Sequence, residues 1–229
     1  MIGLRRRAAP VADDRVVHLV AGRCLDYPTA ELVAEVPAMR RALAERGPSP
    51  ATTPLAEVLD HLGSGPLADV QRTYVDTFDL SRKHALYLSY WTDGDTRRRG
   101  EVLGRFKTAY RTSGAVVDTH GELPDYLPMV LEFAARVDAD AGRTILQDYR
   151  ASLELLRIAL QERQSPYAGA VVAVCATLPG DSPADRAAVM EMVGMTGPHP
   201  SESVGLEPYD PRLLPLQPIP SAATSGAPS

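Results

Sequence analysis

Between Asp13 and about residue 196, apolar residues recur every three or four positions, and no segment sustains the alternation of a half-buried strand. That pattern restricts the chain to helices packed on helices. Leu67, Val70, Tyr74 and Phe78 form one stripe at i, i+3, i+7 and i+11. Ile145, Tyr149, Leu153, Leu156 and Leu160 form another, predicting one long helix over about Arg143 to Gln164. Tyr167 to Leu178 is almost wholly apolar, which places that helix in the core. Ala and Leu are abundant and aromatics make up only 6%, a balance that favours helix over strand.

Punctuation residues mark the helix ends. Thr29, after Tyr27-Pro28, caps a helix in which Pro37 predicts a kink or restart. Gly47-Pro48-Ser49-Pro50 reads as a loop, and Gly63-Ser64-Gly65 and Ser113-Gly114 read as stops. Gly94 suits a tight turn and Asp95 caps the following helix, where Val102, Phe106 and Tyr110 share a face. Pro66, Pro124 and Pro183 mark further helix starts. The expected architecture is all-α: an irregular single-domain bundle of about eight to ten helices. It spans 13–196, after a flexible leader at 1–12 and before a Pro-rich, disordered tail at 197–229. The tail carries eight of the chain's 20 prolines and no helical period, so it lacks the means to build a core.

Several classes of function find no support. A net charge of −5 argues against nucleic acid as a partner. Arg5-Arg6-Arg7 is followed by Asp13-Asp14-Arg15 rather than a continuous apolar run, so a signal peptide is not expected. No stretch approaches the roughly 20 apolar residues of a membrane span. Cys24 and Cys175 lie far apart in apolar surroundings and read as buried small hydrophobes. The five histidines lack metal-ligand spacing, and no nucleophile stands near a base, so neither a metal site nor a catalytic site is expected. Gly63-Ser64-Gly65-Pro66 lacks the strand and lysine of a phosphate loop. Asp93-Gly94-Asp95 runs into arginines rather than further calcium ligands.

Two blocks carry a resemblance. The first holds Tyr74-Val75-Asp76-Thr77-Phe78-Asp79, Leu86-Tyr87-Leu88-Ser89-Tyr90 and Gly94-Asp95-Thr96-Arg97-Arg98-Arg99-Gly100. The second holds Leu123-Pro124-Asp125-Tyr126-Leu127-Pro128 and Leu131-Glu132-Phe133. In this order they resemble the nitrate reductase delta subunit, the NarJ-type molybdenum cofactor assembly chaperone of the wider TorD-like redox-enzyme maturation family. Tyr126 stands where many relatives of that wider family carry histidine. The resemblance covers roughly 14–195.

It implies a cytoplasmic, non-enzymatic chaperone that binds the apo catalytic (alpha) subunit of nitrate reductase, especially its N-terminal segment. That protein would support molybdenum cofactor insertion without membrane insertion of its own. No cofactor would be held stably, although transient contact with the molybdenum cofactor fits the role. Under this reading Tyr74, Phe78, Tyr87, Tyr90 and Tyr126 are candidate aromatic anchors for a client helix in a groove. Asp76, Asp79, Asp125 and Glu132 are candidate partners for client Lys or Arg. Tyr74 and Phe78 also lie on a core stripe, so burial and contact compete for them. Arg97, Arg98 and Arg99 are candidates for cofactor or client contact, against the plainer reading of a solvated charge run beside Asp93 and Asp95. The alternative function is a general helical interaction scaffold unrelated to molybdenum enzymes.

Overall fold

The computed structural model describes residues 14–93, 98–114, 121–192 and Gly194, with Arg82, Thr92, Asp93, Arg98 and Arg99 described by backbone alone. The expected leader, the tail, the Gly94–Asp95 turn and Arg97 lie outside the described residues. Among those described, the fold is all-α. The order is α1 (Arg15–Cys24), α2 (Ala30–Arg46), α3 (Thr52–Gly63), α4 (Leu67–Tyr74), α5 (Leu88–Asp93), α6 (Arg98–Thr112), α7 (Leu127–Arg136), α8 (Ala139–Asp148), α9 (Arg150–Glu162), α10 (Ala168–Ala176) and α11 (Arg186–Met192). A π-helical turn, Val75–Asp79, extends α4, and a 3-10 turn, Arg82–His84, follows it.

The helix α1 packs against α2, α3, α7 and α10, and α9 packs against α5, α8, α10 and α11. These faces match the apolar stripes: Val17, Val20, Ala21 and Cys24 of α1 are buried with Leu127, Val130, Leu131 and Ala134 of α7. Two contacts leave no room for a side chain. A Cβ on Gly142 would fall 2.3 Å from the Ala134 Cβ, and one on Gly169 would fall 2.3 Å from the Pro54 carbonyl oxygen. Glycine at these positions sets how closely α8 approaches α7 and α10 approaches α3. Both cysteines are buried, as their apolar settings predict.

Thr29 caps α2, its Oγ1 accepting from the Leu32 N–H at 3.2 Å. The expected restart at Pro37 does not occur, since α2 runs through it. The single helix expected over 143–164 is two helices. The chain turns at Tyr149 (φ −101°, ψ 22°), and α8 begins earlier, capped by Asp138 at Ala141 N–H (2.9 Å). The stripe is continuous in sequence, but its two halves serve different neighbours. Gly142 holds α8 to α7, Tyr149 packs on Phe106 of α6 at 4.9 Å, and α9 turns toward α10.

Candidate functional site

A cleft of about 500 Å3 opens where three stretches far apart in sequence meet. Asp26 and Tyr27 come from the loop after α1, and Tyr74, Phe78 and Asp79 from the end of α4 and its π turn. Ser81, Ala85, Leu86 and Tyr87 follow the π turn, and Glu122 and Tyr126 precede α7. Three residues of this lining are carboxylates, five are aromatic, and none is Lys, Arg or His among the described residues.

The floor is continuous with the core. Tyr74 is 5% exposed and Phe78 9%, and both rings pack on the fully buried Tyr167, at 5.7 and 5.2 Å. The competition between burial and contact at Tyr74 and Phe78 has a joint resolution: they are core residues whose outer surfaces floor the cleft. The Tyr74 hydroxyl donates to the Leu25 carbonyl oxygen at 3.1 Å and meets the Tyr126 hydroxyl at 3.4 Å. Burial pushes the Tyr126 phenol up to about 12 and the Tyr74 phenol further, so both remain neutral at physiological pH.

The π turn forms one wall. Its wider ring, Leu80 N–H to Val75 O at 3.0 Å, leaves backbone groups for other partners. Arg163 donates to the Asp76 carbonyl at 2.9 Å, and His84 Nδ1 meets the Thr77 carbonyl at 3.1 Å. The Asp76 and Asp79 side chains are both exposed, and Asp79 alone of the two lines the cleft.

The other wall joins the two sequence blocks. Tyr87 and Tyr126 form an isolated antiparallel bridge, with Leu88 N–H to Asp125 O at 3.0 Å and Leu127 N–H to Leu86 O at 2.7 Å. Nothing in the sequence announces this pairing, because one bridge has no alternation to show. Beneath it the Asp125 side chain accepts from Ser89 N–H at 3.1 Å and Ser89 Oγ–H at 2.6 Å. Asp125 was expected among the client contacts. It is instead fully buried, where it ties the start of α5 to the loop before α7. Hydrogen bonds of this kind are what make a buried carboxylate tolerable in a core.

The remaining expected residues are dispersed. Tyr90 is half-buried and packs edge-on to Trp91 (6.4 Å), outside the cleft lining. Glu132 is exposed on α7 and pairs with Arg136 at 3.4 Å. Arg98 and Arg99 fall in the first turn of α6. Sequence reasoning missed Asp26, Tyr27 and Glu122. Tyr27-Pro28 registered only as a helix break, and Glu122 adjoins the second block without belonging to it. Asp26 is raised above the usual carboxylate range by burial, opposed by the Tyr27 N–H at 3.0 Å and by Arg23 at 3.2 Å.

Three exposed apolar residues lie in the lining or next to it in the chain. Tyr27, which lines the cleft, is 42% exposed, while Leu80 (74%) and Leu123 (39%) adjoin lining residues in the chain. No group of three or more His, Cys, Asp or Glu side chains placed to hold a metal ion occurs among the described residues.

The nitrate reductase delta subunit family matches residues 44–173, which contain the π turn, the bridge and most of the cleft. The chain belongs to that family. A probable nitrate reductase molybdenum cofactor assembly chaperone, NarJ, of Bacillus subtilis (strain 168) is 34% identical over 156 residues, 68% of this chain and 84% of that protein. The nitrate reductase-like protein NarX of Mycobacterium tuberculosis (strain ATCC 25618 / H37Rv) is 53% identical over 104 residues. That match takes in 45% of this chain but spans only 16% of the mycobacterial protein. A crystal structure of a redox enzyme maturation protein from Archaeoglobus fulgidus shares the fold, with TM-score 0.54 over 77% of this chain and 98% of that one, at 18% identity. The delta-subunit fold is therefore the frame that holds the cleft.

Proposed function

We propose that this protein is an assembly chaperone that binds the apo catalytic subunit of a nitrate reductase by its N-terminal segment. It keeps that subunit competent for molybdenum cofactor insertion. Its site of action is the cytoplasm, before the client reaches the membrane, and it performs no chemistry of its own. No helix among the described residues is long and apolar enough to cross a membrane, which suits a partner that joins and leaves its client.

One observation carries the reading. The two blocks of sequence resembling the family converge on a single aromatic and acidic cleft, joined by the Tyr87–Tyr126 bridge. A client helix laid there would seat apolar side chains on Tyr74, Phe78 and Tyr126, the helix-in-groove mode of recognition. Its length would run past Tyr27 of the lining toward Leu80 and Leu123. The relative from Bacillus subtilis bears a chaperone's name, and its match extends over most of both chains.

The test is calorimetric titration of the full chain with a peptide from the N-terminus of the same organism's nitrate reductase catalytic subunit. Saturable binding at about micromolar affinity is expected, with a scrambled peptide silent. Tyr126→Ala removes an aromatic contact from the floor and is expected to weaken binding about tenfold or more, with helical content kept. Absence of binding across several pH values and salt concentrations would move the function to a helical interaction module with another partner.

A further inference from the structure

We infer that Glu122, oriented by Tyr87, is the specificity-determining carboxylate of the cleft and reads a single Lys or Arg side chain on the bound segment. This rests on the chaperone reading and adds to it the chemistry of recognition. The sequence pattern did not single out Glu122; of the carboxylates it did single out, Asp79 lines the cleft, while Asp76, Asp125 and Glu132 are outside its lining.

Three carboxylates line the cleft, and their surroundings separate them. Asp26 is bonded by Arg23 at 3.2 Å, and Arg23 also meets Glu35 at 3.0 Å, so the charge of Asp26 already has a cationic neighbour. Asp79 and Glu122 are both exposed, where solvent screens a pair with a client cation, so exposure does not separate them. Glu122 differs from both. Its Oε2 accepts a 2.6 Å hydrogen bond from the Tyr87 hydroxyl. Tyr87 is half-buried, its ring rests on Tyr126 at 5.5 Å, and its backbone is pinned by the bridge.

A flexible surface carboxylate loses side-chain entropy when it pairs, which is why most such pairs contribute little. Glu122 has a fixed partner before any ligand arrives, so its orientation is partly set in advance. Oε2 is occupied by a neutral donor that leaves the negative charge in place. The remaining acceptor capacity of the carboxylate suits an ammonium or guanidinium. The faces of Tyr87 and Tyr126 beside it offer the π surface on which a cation, guanidinium above all, is additionally stabilised. No lysine, arginine or histidine among the described lining residues competes for the position. Glu122 therefore contributes selection, while the aromatic floor contributes burial. Tyr87 is a positioning residue that acts through Glu122.

The experiment is a double-mutant cycle on the full chain, read by calorimetry at two salt concentrations. The probe is a peptide of the first fifteen or so residues of the same organism's nitrate reductase catalytic subunit, with each Lys or Arg replaced in turn by Gln. Glu122→Gln is expected to weaken the parent peptide about tenfold and to flatten its salt dependence. It should also be coupled at least fivefold to one basic position of the peptide and to no other. Tyr87→Phe should reduce that coupling, weakening the parent peptide more than the corresponding Gln-substituted peptide. A merely structural role would weaken every peptide alike. If the parent peptide binds the wild type but Glu122→Gln leaves affinity and salt dependence unchanged, or no position couples, the inference is overturned and the chaperone reading stands. If the wild type binds no peptide, the reading fails and the inference with it.

Discussion

Glu154 on α9 is fully buried between two buried arginines. Its Oε2 accepts from Arg157 Nε at 2.6 Å, and its Oε1 accepts from Arg150 Nη2 at 3.3 Å and from Ser182 Oγ at 2.8 Å. The same guanidiniums reach onward to backbone: Arg150 donates to the carbonyls of Pro179, Gly180 (3.0 Å) and Asp181 (3.2 Å), and Arg157 to that of Pro183. This network fastens the 179–183 loop to α9 and leads the chain into α11, whose Val189 packs on Ala151 and Ile158 in a small cluster apart from the main core. Glu154→Ala leaves two cations buried without their counter-ion, a change that costs about 3–5 kcal/mol. For a domain of this size each kcal/mol moves the melting temperature by about 2–4 °C, so the expected fall is roughly 6–20 °C. Glu154→Gln keeps the volume and one acceptor and should lose about half as much. Replacing Arg150 and Arg157 by Met together with Glu154→Leu removes the stranded charges but also the donors to the loop, so it should recover only part of the loss. Scanning calorimetry on the full chain measures all three variants. A fall smaller than about 3 °C for Glu154→Ala would refute the reasoning, showing that water or rearrangement compensates the arginines. Because the network does not line the cleft, peptide affinity at 25 °C should be unchanged in each variant that remains folded.

Two further predictions concern packing and pH. Gly169→Ala places a Cβ against the Pro54 carbonyl, which is backbone and cannot rotate away, so α10 must shift from α3. The expected loss is about 1–3 kcal/mol by chemical denaturation, whereas Gly104→Ala, whose Cβ would meet nothing within 4 Å, should not destabilise. His61 and His84 are both held below the ordinary histidine value of 6.5, His61 by burial and His84 by burial and then by Arg163. A histidine with a depressed folded value favours folding while neutral, so its contribution is complete above about pH 6.5 and is lost as pH falls through the folded values. The melting temperature should therefore drop between pH 7 and pH 5. Asp26, raised by burial, acts with the opposite sign at the acid end, so the comparison of wild type with His61→Gln isolates the histidine part. A wild-type and a variant curve that stay parallel from pH 7 to 5 would remove His61 from the account.

How far the sequence could be read depended on whether a feature is local. Helical periodicity carries the identity of the buried face, because a face is defined within one or two turns. Val17, Val20 and Cys24, the stripe from Val70 to Phe78, and the apolar helix around Val171 and Val174 are all buried as their spacing requires. Thr29 is legible as a cap because its partner lies three residues away. The order of the two motif blocks was likewise sufficient to place the chain in its family.

What the tertiary structure decided was convergence. Asp26, Tyr27 and Glu122 carry no local mark of function, and they become cleft residues only because the loops after α1 and before α7 meet beside the π turn. Asp125 looks like a surface carboxylate until Ser89, 36 residues away in sequence, supplies the donors that let it be buried. The stripe through Tyr149 reads as one helix because spacing is blind to the neighbours on each side, and the chain bends there when α7 and α10 claim different halves. Periodicity determines which side of a helix faces inward. Only the long-range packing determines which inward sides meet, where a polar group finds its partner, and where a gap is left for another molecule.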